Sequence, residues 1–539
     1  MFFKFSADEK LDIDYILEKI NVSSVYGKSR KVNIKPYFDK DTLESEYDLM
    51  DRVIEDLLKH KLTFTKVRNV LKDIKEIRGT IARLEEEIVL SEVEFFELKK
   101  FAFGVRLLNN LMLPLKNLPE ILAKRLVDVE KILDPKEDKI PTFYIYDDYS
   151  IVLKKTREEI DKLNKDIEVE KKILFGELSK KYDLKIRPNG EIRISKSNPR
   201  YEDIINDDNF VYLSENYGLV VFIINLNHGY SELMKKLNEL KEIEQSEEEK
   251  VKIDLSDRLK AHASLFLDNI DRIGHLDFIL GKASFAIAYK LTRPEITMGD
   301  SFEIEGGINV PVSDRLRKEG LEYTPIDIYL QRGASVITGS NMGGKTVSLK
   351  LMGQIAAMAQ HGLFVPAKRV KFPLRDYIYI SVGDTQDMSL GLSSFAGEMV
   401  ALSEIINQSD KRGLILVDEL SRGTNPQEGY AISRSITDYL NDSNSICVFT
   451  SHLDGITSGK IHYQVRGLKD IDFESMIEGQ SVIENLHYQM DFTLERVDDK
   501  EQVPKEAISI VQMLGLNEKI IVGAKEYLLQ NQKGGKKNE

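Results

Sequence analysis

The sequence holds a single cysteine, Cys447, in 539 residues. That excludes an internal disulfide framework and any zinc cluster built on cysteine thiolates. It suits a reducing compartment. No secretory leader is legible, because the opening MFFKFSADEK is briefly apolar and then turns charged. The longest apolar run, GLVVFIINL, is too short to cross a bilayer. These absences make the cytoplasm the expected location and a membrane partner an unexpected one. Net positive charge is also missing. The balance is −13, which argues against a simple cationic coat for nucleic acid and leaves room for a local basic groove. No internal repeat is found. What remains is 42% hydrophobic and 31% charged, the composition of a globular chain with ample core. The length allows roughly three or four domains.

The pattern along the chain changes four times. Residues 1–42 are mixed and hard to place. From Leu43 to Leu133 the pattern is helical: YDLMDRVIEDLLKHK sets Leu49, Val53, Leu57 and Leu58 on one stripe, and RLEEEIVLSEVEFFELKKF continues in the same manner. Pro114, Pro119, Pro135 and Pro141 divide this region into several helices. A second long helix is expected over Ile151–Leu184, with Ile160, Leu163, Ile167, Leu174 and Leu178 near a 3-4 repeat and Lys and Glu between them. Then KIRPNGEIRIS places Asn189-Gly190 between alternating residues, a type I′ hairpin signal. VYLSENYGLVVFIIN reads as strand, and helix returns from about Gly229 to Leu291. A helix that leaves, makes a small sheet and comes back suggests two antiparallel arms with a β tip near 185–226.

The final third is α/β. ASVITG, YIYISVG, GLILVDE and SICVFTSH are four short Val/Ile-rich runs separated by helical or glycine-rich sequence, the pattern of buried parallel strands. The expected organisation is therefore an N-terminal segment 1–42, a helical core with arms and β clamp over 43–292, an α/β domain over 293–528 and a disordered tail over 529–539.

Gly339-Ser340-Asn341-Met342-Gly343-Gly344-Lys345-Thr346 fits G-x-x-x-x-G-K-[ST], with a strand before it and a helix after it. Backbone N–H groups of such a loop curl around a triphosphate, and the helix N-terminus adds its positive dipole end. Lys345 would give the β/γ phosphates a point charge, and Thr346 would offer its hydroxyl to Mg²⁺. LILVDE places Asp418 and Glu419 at the C-terminal edge of the sheet, where ligands bind in open α/β folds. Asp418 would complete the Mg²⁺ site and Glu419 would orient or deprotonate the attacking water. Thr450-Ser451-His452 ends the next strand, so His452 could sense the γ-phosphate or position water. ATP and Mg²⁺ are the expected cofactors, and Glu419, His452 and Lys345 the expected catalytic groups.

These segments resemble the MutS family. TGSNMGGKT is similar to that family's TGPNMGGKS/T loop, and LVDELSRGTNPQEG to its DE-x-x-x-GT-x-x-x-(D/E)G segment. GLFVPA (362–367) and LSSFAGEM (392–399) match two further blocks. The resemblance covers about Pro294 to Leu528, with a weaker architectural likeness back to Leu43. It implies a P-loop ATPase domain of the ABC type, preceded by an all-α lever and core with a small β clamp. It implies dimerisation through the ATPase domains, with itself or a paralogue, and Ser393 reaching the partner's nucleotide in trans. An aromatic residue ahead of the loop stacks on adenine in relatives, and Tyr323 is the candidate here.

The chain also departs from the family. No Phe-x-Glu mismatch wedge precedes Leu43, so mismatch detection in the usual manner is not expected. KTVSLK, MAQHGLFVPA and NPQEG lean towards the second bacterial branch, which acts on recombination intermediates or stalled ribosomes. The sequence stops at Glu539 without that branch's Smr nuclease domain, so nuclease activity is not expected. Two loads stay open. One is double-stranded DNA, mismatched or branched, which the basic cluster Lys185, Arg187, Arg193, Lys196 and Arg200 at the tip would grip. The same cluster could instead guard an edge strand against aggregation. The other load is a protein: relatives of this layout act as reactivases of cobalamin-dependent aminomutases.

Overall fold

The computed structural model describes residues 2–4, 7–113, 118, 121–339, 343–382, 394–408, 410–421, 424–453, 455–468, 490–497, 507–513 and 516–534. The chain divides into two compact units. One comprises 1–69, 114–121 and 274–539; the other comprises 70–113 and 122–273. The change from helical to α/β pattern near Arg293 does not coincide with this division, because the second half of helix Ala263–Tyr289 belongs with the α/β unit.

The larger unit is built on a seven-stranded sheet in the order Phe3–Lys4, Tyr377–Ser381, Gly413–Val417, Ile446–Thr450, Gly333–Thr338, Ile461–Leu468, Met490–Val497. All neighbours are parallel except the last pair. The four runs expected as strands are its centre, and every residue of these strands is buried. Burial on both faces explains why they read as unbroken apolar runs rather than alternating ones. Helix Lys345–Gln360 is buried along most of its length.

The first residues, unpatterned in the sequence, complete this unit. Phe3 and Lys4 pair with Ile378 and Tyr379 as an edge strand. Leu11 is fully buried, and a Cβ at Gly353 would lie 2.3 Å from its side chain, so Gly353 is the notch that admits it. Helix Lys40–Lys59 buries Leu43, Tyr47, Leu49, Met50, Val53 and Leu57. Leu58, expected on the same stripe, is exposed. One residue along a helix turns about 100°, which carries Leu58 off the face that Leu49, Val53 and Leu57 share. A separate four-stranded sheet runs Glu295–Thr297, Arg369–Pro373, Phe302–Gly307, Ile326–Leu330.

The second unit carries the arms. RLEEEIVLSEVEFFELKKF is not one helix. Helix Arg78–Glu85 ends where Glu87 takes a φ of 61° and Ile88 N–H returns to Arg83 O at 2.9 Å. Helix Glu92–Met112 then starts from a capping box between Ser91 and Glu94. Helices Ile151–Tyr182 and Asn227–Lys260 pack along each other, with Ile160 and Leu163 against Leu237 and Leu240. Arg157 ties their bases, bonding Glu244 at 2.8 Å, and Glu248 and Asp147 at 2.6 Å.

At their far end sits an antiparallel sheet, Glu191–Ser195, Leu219–Ile224, Phe210–Asn216. The type I′ hairpin is present, but not at Asn189-Gly190. The turn formed there is Arg187–Gly190, closed by the Gly190 N–H to Arg187 O at 2.8 Å, so Pro188 and Asn189 are its central residues; Pro188 holds φ negative at the first of them and only Gly190 is left-handed. The two-residue hairpin is Tyr217-Gly218, with φ of 49° and 76°, joining Asn216 to Leu219 inside the stretch expected as a single strand.

Candidate functional site

Strand Gly333–Thr338 ends in Gly339, and helix Lys345–Gln360 starts after Gly344. Gly339 has a φ of 137°, and a Cβ there would sit 3.1 Å from Val465. Gly344 has a φ of 93°. Both positions exclude a side chain on backbone grounds. Ser340, Asn341 and Met342 lie outside the described residues, and Gly343 precedes the helix.

The side chains expected to act together do meet. Thr346 Oγ1 donates to Asp418 Oδ2 at 2.6 Å. Asp418 Oδ1 accepts from Thr450 Oγ1 at 2.5 Å, and that same hydroxyl accepts from the Glu419 N–H at 2.9 Å. The Asp418 N–H is held by Ser381 O at 2.8 Å. Glu419 has a φ of 52°, a left-handed conformation that costs a non-glycine residue about 1 kcal/mol. The chain bends there, so the two neighbouring carboxylates separate: Asp418 faces Thr346, while Glu419 Oε1 lies 2.8 Å from His452 Nε2. Lys345 Nζ donates to Gly339 O at 2.8 Å and stands 3.4 Å from His452 Nδ1. An ammonium can only donate, so Nδ1 of His452 is the acceptor and Nε2 carries the proton toward Glu419. Burial lowers the Lys345 pKa, against the opposing pull of Glu419 and Asp418.

Thr450 is the residue that sequence reasoning overlooked here. It closes strand Ile446–Thr450 and orients Asp418 and Glu419 together. A second is Glu398, in the LSSFAGEM block. It is buried, bonded by Ser381 Oγ at 3.4 Å, and its carboxyl is pushed up to about 7 by burial, with Asp418 adding to the effect. Ser393 lies outside the described residues.

Tyr323 borders a cavity of about 220 Å³ whose wall includes Gly344, Val347 and Ser348 of the loop and helix. Burial pushes its hydroxyl up to about 12. Phe492, on the antiparallel edge strand, lines the same cavity, and its ring lies 3.6 Å from where a Gly344 Cβ would be. No spacing rule could have paired Phe492 with a loop so far away in sequence.

The basic cluster is placed at the tip sheet, with acids paired to four of its five cations. Arg187 and Arg193 both approach Glu191, at 3.2 and 3.5 Å. Lys196 pairs with Glu215 at 2.8 Å and Arg200 with Asp203 at 3.5 Å. Of these acids, Glu191 comes from the cluster's own strand and Glu215 from the far strand of the same sheet, Phe210–Asn216. All four cations are about half exposed, and Lys185 is exposed. No helix among the described residues is long and apolar enough to cross a membrane.

Residues 335–531 match MutS domain V. Across nearly its whole length the chain is similar to the Endonuclease MutS2 of Caldanaerobacter subterraneus, at 25% identity over 536 residues, 96% of this chain and 64% of that protein. The protein of that name from Carboxydothermus hydrogenoformans is 26% identical over 546 residues, 97% of this chain and 65% of its own length. In the one from Agathobacter rectalis, 313 residues are 32% identical, 57% of this chain and 36% of the relative. The chain thus spans less than two thirds of the length of these relatives. The endonuclease activity in their name is said of them. The aminomutase-reactivase alternative finds no support in these relatives.

Proposed function

The chain belongs to the MutS family, and we propose that it hydrolyses ATP with Mg²⁺ and uses the cycle to switch its hold on duplex DNA. The observation that carries this reading is the convergence of Thr346, Asp418, Glu419, His452 and Lys345 around the ends of two buried strands, Gly413–Val417 and Ile446–Thr450, and the start of one helix.

In this reading Thr346 and Asp418 hold the metal, whose positive charge would draw density from the phosphate oxygens. Their mutual hydrogen bond marks two oxygen donors already facing one point, the hard-ligand chemistry Mg²⁺ takes. Lys345 leaves the Gly339 carbonyl for the phosphates. Glu419 accepts a proton from water, and His452, its tautomer set by Lys345, steadies Glu419 by donating from Nε2. Tyr323 and Phe492 line the adenine cavity. Gly339, Ser340, Asn341, Met342, Gly343 and Gly344 wrap the phosphates, and Ser393 reaches the nucleotide of a second subunit, the same chain or a paralogue. The protein works in the cytoplasm.

DNA is the proposed load because the relatives are named endonucleases, a nucleic-acid chemistry, and the arm tip presents half-exposed cations. Contact with phosphates would exchange Glu191, Glu215 and Asp203 for the DNA backbone, a salt-sensitive step. The test is steady-state ATP turnover with no DNA, plain duplex, a mismatched duplex and a four-way junction, each at two salt concentrations. A rate that responds to one DNA form and loses the response at high salt supports the reading. Identical rates in every condition overturn the DNA assignment.

A further inference from the structure

We propose a second ligand site, for a small phosphate-bearing molecule, on the opposite side of helix Val310–Lys318 from the nucleotide cavity. That helix is a shared wall. Val312, Arg315 and Leu316 line the cavity that contains Gly344, while Val310, Ser313, Asp314 and Arg317 line another of about 470 Å³. The two sets are the two faces of one helix at i, i+3, i+4 spacing. The volume is that of a small-molecule site, which commonly measures about 300–1,000 Å³.

The charge around this second cavity is lopsided. Lys290, Arg317 and Lys368 line it against one acid, Asp314. Asp314 is already committed: it accepts from the hydroxyls of Tyr15 at 2.7 Å and Tyr289 at 2.8 Å, pairs with Lys19 at 3.5 Å and with Arg317 at 2.5 Å. Among the described residues neither the Lys290 nor the Lys368 side chain has a hydrogen bond or an ion pair. In a chain of net charge −13, this is a local positive focus over an apolar floor that includes Ile308, Pro325 and Pro366.

Both lysines are placed by specific backbone features. Lys290 follows helix Ala263–Tyr289 at a φ of 54°, while the Leu291 N–H closes back on Ala286 O at 2.9 Å. Glycine would sit there without strain, and lysine does so at about 1 kcal/mol. Lys368 lies across Gly306, whose φ is 63° and where a Cβ would meet the Lys368 Cγ at 2.8 Å. Two ammonium groups without a side-chain partner and a guanidinium, lining one cavity together with aliphatic carbon, suit a phosphate on a compact organic body. Occupancy would bear on helix Val310–Lys318 and so on the nucleotide cavity, a consequence that rests on the ATPase reading; binding itself does not.

The experiment uses the full chain with the nucleotide loop saturated by a non-hydrolysable ATP analogue and Mg²⁺. Ribose 5-phosphate, inorganic phosphate, ribose and a short single-stranded oligonucleotide are titrated calorimetrically. Ribose 5-phosphate should bind saturably and ribose should not. Lys290→Glu with Lys368→Glu should weaken that binding at least tenfold, while the melting temperature and the affinity for the ATP analogue stay unchanged. Binding of the oligonucleotide alone, lost in the same double variant, would keep the phosphate chemistry and assign its source to a nucleic-acid backbone. No saturable binding of any phosphate probe, or binding indifferent to the charge reversal, overturns the proposal. Failure of the ATP analogue to bind would instead sink the ATPase reading, and the ribose 5-phosphate titration would still decide this site.

Discussion

Thr346 Oγ1 and Asp418 Oδ2 meet at 2.6 Å across the top of the parallel sheet, joining the helix after the glycine loop to the strand end two positions away. A hydroxyl and a carboxylate that bond each other directly present two oxygens to the space where a divalent cation would sit. Asp418→Asn keeps the shape and removes the charge. We expect ATP turnover to fall by about a hundredfold or more, with nucleotide affinity measured without Mg²⁺ nearly unchanged. Turnover that stays near the parent rate would separate Asp418 from the metal.

Glu398 predicts a pH dependence. Its carboxyl is held neutral by burial, up to about 7, against an ordinary value of 4.5. In the unfolded chain it ionises above that ordinary value, while in the fold it stays protonated until about 7. Its contribution therefore lowers stability as pH rises through that window and is absent below it. Glu398→Gln should be more stable than the parent at pH 8, by up to about 3 kcal/mol, and equal to it near pH 4. Denaturant midpoints across this range test the sign directly.

Glu46 predicts the opposite kind of effect. Burial opposes its charge, but Lys282 and His275 hold its carboxyl far below the usual range. Lys282 also donates to Gly362 O at 3.0 Å, just past the end of helix Lys345–Gln360. Glu46→Gln leaves a buried ammonium without its counter-charge and should destabilise by about 3–5 kcal/mol. Glu46→Gln with Lys282→Met should recover most of that loss. The parent's own Glu46 contribution is present above pH 4.5 and fades as pH falls through the depressed value.

Arg187 and Arg193 lean on Glu191. Reversing both to Glu should reduce the slope of log affinity against log salt for duplex by about 2, with ATP turnover in the absence of DNA unchanged. A variant that binds duplex with the parent's affinity and slope would return the cluster to a role in guarding the sheet edge.

Much of the α/β unit was legible because its chemistry is local. A strand buried on both faces must be a continuous apolar run, as GLILV is, and a helix start that cradles phosphate must be glycine-rich. The arms were legible for the same reason: Ile160, Leu163 and Leu178 keep a helical period. What was missed depended on partners distant in sequence. Phe3–Lys4 is too short to show a period and is a strand only through Ile378 and Tyr379. Thr450 and Phe492 matter through what the sheet brings beside them. The hairpin signal failed for a local reason, since Pro188 outweighs Asn189-Gly190, while Tyr217 takes a left-handed turn position where asparagine or glycine is usual.

The measurement that bears most directly on the central claim is phosphate release by Glu419→Gln, with bound nucleotide followed in parallel. Glu419 and His452 stand 2.8 Å apart at the proposed water site. If Glu419 takes the proton, MgATP should bind the variant with the parent's affinity and remain unhydrolysed, with release slowed by about a hundredfold or more. Release at the parent's rate would contradict the account.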